Sequence, residues 1–71
     1  MYLYITFRSI HDALKAENRF HKGHVRFDTI PVPRAIHSGC GLALRFNVSD
    51  REQVECYLAQ QTLSYEGLYV F

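Results

Sequence analysis

Apolar residues recur along this chain with a period that switches from two to about 3.6 and back, which leaves few ways to fold it. Residues 2–7, YLYITF, alternate: Leu3, Ile5 and Phe7 fall on one side, Tyr2, Tyr4 and Thr6 on the other. That is a strand with one face in a core. Ser9 and Asp12 have capping-box spacing, and Ala13, Leu14, Ala16 and Phe20 then form a helical stripe that Gly23 is suited to stop. Residues 24–32, HVRFDTIPV, read as a second strand with Val25 and Phe27 inward. Its phase breaks near Thr29. Pro31 and Pro33 cannot donate to a ladder, so this end is a sheet edge or already loop. Residues 42–46, LALRF, alternate again with Leu42, Leu44 and Phe46 inward. Ser49 and Glu52 make a second capping box before a helix bearing Val54, Tyr57, Leu58 and Gln61 on one side. The closing YEGLYVF is a strand with Leu68 and Val70 opposite Tyr69 and Phe71.

The resulting order is βαββαβ. Two right-handed βαβ units of this length fold most simply into the ferredoxin-like α+β arrangement. The expectation is a four-stranded antiparallel sheet with strands one and three central, strand two at an edge and both helices on one face. With 71 residues the chain is read as one domain, 1–71. A domain this small buries only about 60% of its unfolded surface, so a site on it is shallow, on a loop, or shared with a partner.

Composition then narrows the function. A 48% hydrophobic content argues against disorder, and a formal net charge of +1 gives no sign of a phosphate-binding surface. The start MYLYITFRSI has no basic stretch or small-residue cleavage site, and no apolar run reaches the roughly 18 residues of a membrane span. The expected location is cytoplasmic, with no membrane association. Cys40 and Cys56 are too few for a disulfide scaffold and are expected to stay reduced, without a bond between them.

The segment between strands two and three, PVPRAIHSGCG, is long for a hairpin in so short a chain, and long loops in compact domains are often functional. Gly39 and Gly41 flank Cys40 and would leave its sulfur unshielded, with backbone N–H groups free to converge on a thiolate. Arg34 and His37 would add positive potential, and Pro31 and Pro33 would stiffen the start of the loop. The competing reading makes Cys40 a small hydrophobe at a strand start and the glycines turn residues. His21, His24, His37 and Cys40 also give H-x2-H followed by H-x2-C, ligand types that zinc accepts, although the cysteine pairs that usually lead such sites are missing. No metal or other cofactor is expected. Tyr2, Tyr4, Arg45, Tyr69 and Phe71 should lie on the sheet face opposite the helices. RNA-binding sheets of this topology stack bases on such aromatics, but LALRF lacks their aromatic-rich basic motif. An interface, such as a homodimer through Tyr2, Tyr4 and Tyr69, is the preferred reading and nucleic acid is not. No Ser-His-Asp spacing, paired carboxylates or phosphate loop can be argued, so nothing in these residues marks a stand-alone enzyme.

IPVPRAIHSGCGLALRF, with ITF-S---AL-AE before it and YEGLY near the end, resembles the DUF3343 family of selenium/sulfur carrier-like proteins over essentially the whole chain. The most specific part is Pro31, Pro33 and Arg34 spaced to Cys40 and Gly41. His37 departs from the serine expected there, and Cys56 matches no family motif. The resemblance implies that Cys40 holds sulfur or selenium as a persulfide or selenopersulfide in selenium metabolism. It implies donor and acceptor proteins as partners, among them TusA-like domains. The alternative is a binding or regulatory module whose long loop and aromatic face dock a protein partner while Cys40 only packs.

Overall fold

The computed structural model describes residues 1–36 and 39–71. Its elements run β1 (Tyr2–Thr6), α1 (Ile10–Lys22), β2 (Asp28–Pro31), β3 (Leu42–Asn47), a 3-10 turn (Val48–Asp50), α2 (Arg51–Gln60) and β4 (Gly67–Val70). The strands form one antiparallel sheet in the order β2-β3-β1-β4, with β1 and β3 central. Leu3, Ile5 and Phe7 join Leu44 and Phe46 of β3, Ala13, Ala16 and Phe20 of α1, and Val54 and Leu58 of α2 in one buried cluster. Both helices therefore cover the same sheet face, and the fold is the ferredoxin-like α+β arrangement. No described helix is long and apolar enough to cross a membrane.

Phe20 is the keystone of that cluster. Its ring lies 4.8 Å from the Phe46 ring and 5.2 Å from that of Tyr57, so one side chain joins α1, the sheet and α2. Burying a side chain of this size stabilises the fold by about 2–3 kcal/mol. The α1 stripe is narrower than its spacing suggests. Ala13, Ala16 and Phe20 are buried, but Leu14 is 52% exposed, because one residue past Ala13 the helix has turned about 100° away from the sheet.

The helix ends follow backbone hydrogen bonding more than glycine placement. Ser9 Oγ accepts the Asp12 N–H at 3.2 Å, as its spacing requires. The second box does not form. Asn47 Oδ1 accepts the Ser49 N–H at 3.1 Å and caps the 3-10 turn first, leaving Asp50 as the α2 N-cap with no side-chain bond. At the far end of α1, the Val25 N–H bonds to the Phe20 carbonyl and the His24 N–H to that of His21, both at 3.1 Å. This is a Schellman closure with His24 at φ 58, the left-handed position that glycine usually fills. Leu63 and Thr62 repeat it on Leu58 and Ala59 after α2, with Thr62 at φ 52. Gly23 lies one residue earlier, at φ −80. A Cβ there would fall 2.8 Å from the Tyr57 ring, whose hydroxyl donates to the Arg19 carbonyl at 2.8 Å.

The same closure shortens β2. Val25 is buried as the apolar residue of the cap, its N–H committed to α1, so ladder pairing with β3 starts only at Asp28. The strand expected over residues 24–32 thus shrinks to four residues.

Candidate functional site

β2 ends at Pro31 opposite Leu42, so the segment between them starts and finishes at one end of the sheet. The Val32 N–H donates to the Gly41 carbonyl at 3.1 Å and closes the base of this loop. The Ile36 N–H donates to the Pro33 carbonyl at 2.9 Å, folding Arg34 and Ala35 into a tight turn. Arg34 is exposed there, whereas Ile36 is buried and stands outside the helix-side cluster. His37 lies outside the described residues, and with it the role expected of its side chain.

The two glycines answer to different demands. A Cβ on Gly39 would sit 2.9 Å from the carbonyl oxygen of Arg8, so the loop backbone rests directly on the connection between β1 and α1. Gly41 has φ +76 with open space where a Cβ would go. Its backbone conformation, rather than crowding, requires glycine. That turn brings the Leu42 N–H back to Cys40, where it donates to Sγ at 3.4 Å, while the thiol donates to the Leu42 carbonyl at 3.3 Å. The N–H contact survives ionisation of the thiol and the S–H contact does not. Cys40 itself is half-buried, packed on the margin of the core rather than fully open as the flanking glycines suggested. Neither Leu42 as backbone donor nor the burial of Ile36 follows from the sequence pattern. Ile36 carried a signal, as a large aliphatic residue in an otherwise small and polar loop.

Cys56 is exposed on α2, and no disulfide joins it to Cys40. Of the candidate metal ligands, His37 lies outside the described residues, and His21 and Cys40 are not gathered. Cys40 belongs to the end where α1 begins, whereas His21 is in the last turn of α1, about 18 Å away along a helix at 1.5 Å per residue. Among the described residues no group of three or more histidine, cysteine or acidic side chains could hold a metal ion.

The sheet face opposite the helices carries the expected aromatics with one correction. Tyr4 was expected to be open and is only 8% exposed, because Phe71 stacks on it at 4.4 Å with rings 15° from parallel. Tyr2 and Tyr69 remain exposed; Tyr2 lies beneath Arg45, whose Cζ is 4.5 Å from the ring centroid. Arg45 also donates from Nη2 to Asp28 Oδ2 at 2.9 Å, and this bond holds its guanidinium above its ordinary pKa.

No curated protein and no solved structure matches the chain. A family model does, over residues 2–70, and its description is "Putative Se/S carrier protein-like". With that match spanning nearly the whole chain, the protein belongs to the Se/S carrier-like family.

Proposed function

We propose that the protein is a chalcogen carrier that accepts a sulfane sulfur or selenium atom on Cys40 and passes it to another protein. The observation that carries this reading is the Cys40 turn. Its sulfur stands at the sheet end on a loop resting on the connection between β1 and α1, with the Leu42 N–H donated to it at 3.4 Å. Family membership supports the chalcogen as cargo. The Cys40 thiolate attacks the outer sulfur of a donor persulfide, R–S–SH. A Cys40 S–S bond forms, the donor S–S bond breaks, and R–S⁻ leaves with the electron pair while the proton stays on the transferred sulfur. Delivery is the same exchange with an acceptor thiolate attacking the outer sulfur and Cys40 leaving. The Leu42 N–H at Sγ is a donor available to the sulfur both as it attacks and as it leaves. Arg34, exposed in the turn ahead of it, offers the loop a permanent positive charge to guide an anionic donor.

Donor and acceptor proteins are the partners of such a carrier, and a second copy meeting it through Tyr2 and Tyr69 fits the exposed part of the aromatic face. The test is intact-mass measurement after incubation with a protein persulfide donor. Wild type and Cys56→Ser gain a single sulfur atom, Cys40→Ser gains none, and Arg34→Ala gains it more slowly. An adduct retained in Cys40→Ser overturns the reading and favours a docking module in which Cys40 only packs.

A further inference from the structure

The sheet end farthest from Cys40 holds a second feature that the carrier reading leaves unused. There β1 begins and β3 ends, with Tyr2 paired to Asn47. Tyr2, Arg26, Phe27, Asp28 and Arg45 line a cleft of about 340 Å³ over Phe46 and Asn47. That is the low end of the range, roughly 300–1,000 Å³, in which small-molecule sites fall, and its walls combine aromatic surface with a few polar groups.

Its charges are unevenly committed. Arg45 gives Nη2 to Asp28 at 2.9 Å, while its Nε is buried with no partner. Arg26 is exposed, and among the described residues it makes no hydrogen bond or ion pair. Two guanidinium groups and one carboxylate therefore line the cleft, an excess of one positive charge, beside half-buried Phe27 and the Tyr2 ring, one face of which Arg45 covers. A guanidinium binds a carboxylate through paired N–H donors, and planar groups stack on the aromatic and guanidinium surfaces around it.

We propose that this cleft binds a small organic monoanion, a flat apolar body bearing one carboxylate, with the carboxylate on Arg26 and the body against Phe27 and the part of Tyr2 that Arg45 leaves uncovered. The site is independent of Cys40, and its ligand neither reaches nor reacts with the thiol.

Benzoate is the probe, followed by amide chemical shifts of the full chain at neutral pH. Benzyl alcohol supplies the same ring without charge, and acetate the same charge without the ring. The expected result is saturable binding of benzoate, with shifts at Tyr2, Arg26, Phe27 and Arg45 but not across Gly39–Leu42. Both controls and the Arg26→Gln variant bind at least about tenfold more weakly, the equivalent of one charged hydrogen bond. Asp28→Asn binds benzoate more tightly, because the competing carboxylate is gone. Arg26 is exposed, so its substitution leaves the core intact. Equal binding of either control, an unchanged Arg26→Gln variant, weaker binding by Asp28→Asn, or no saturation overturns the proposal. Cys40→Ser leaves all of these outcomes unchanged, which separates them from the carrier test.

Discussion

The two cysteines of this chain stand in opposite settings. Cys56 is exposed on α2, but no described group is hydrogen-bonded to its sulfur. Cys40 is half-buried, yet a backbone N–H reaches it, a left-handed glycine shapes its turn, and its loop rests on a neighbouring connection. Exposure and chemical setting therefore point to different residues. On the carrier reading, a reagent sensitive only to access selects Cys56, and one sensitive to the surroundings of the sulfur selects Cys40.

The largest expected effect tests that division directly. With a small alkylating reagent, native Cys40 reacts several-fold faster than Cys56, and unfolding the protein abolishes the difference. Faster reaction at Cys56 in the native protein would mean that access alone governs both thiols.

Next come the two glycines that hold the Cys40 setting. Gly39→Ala forces a Cβ to 2.9 Å from a backbone carbonyl that cannot swing away. Overpacking of this kind costs about 1–3 kcal/mol, visible in chemical denaturation, and it should loosen the loop from the Arg8 connection. Gly41→Ala meets no crowding but places an L-residue at φ +76. It should cost about 1–2 kcal/mol and slow alkylation at Cys40 by withdrawing the Leu42 N–H, with Cys56 unaffected. Unchanged Cys40 reactivity in a folded Gly41→Ala variant would remove the turn from the account.

The smallest effect belongs to the Cys56 helix. Arg51 and Glu55 pair at 3.3 Å, one helical turn apart, with side chains 50% and 48% exposed. Arg51→Ala should cost no more than about 0.5 kcal/mol and leave both thiols unchanged, since such pairs are solvated and screened.

Much of the frame was legible because burial imposes a period. Leu3, Ile5 and Phe7, then Leu44 and Phe46, alternate along the chain, and their partners in α1 and α2 recur at helical spacing. What escaped was set by groups that sequence patterns do not display. The β2 start depends on the Val25 N–H bonding back to α1, and the α2 start on Asn47 reaching Ser49 before Ser49 can cap. Tyr4 alternates as an open-face residue should, but Phe71, distant in sequence, covers it. In the loop, the unusual Gly-Cys-Gly run could be read directly. The separate tasks of its two glycines could not, because one arises from a neighbouring backbone and the other from a single dihedral angle.

The most direct measurement of the carrier account is peptide mapping by mass spectrometry on protein isolated from its host under conditions that preserve persulfides. The account predicts a sulfur or selenium atom on the peptide containing Cys40 and none on that containing Cys56. A chalcogen found only on Cys56, or both peptides bare after exposure to a competent persulfide donor, would contradict it.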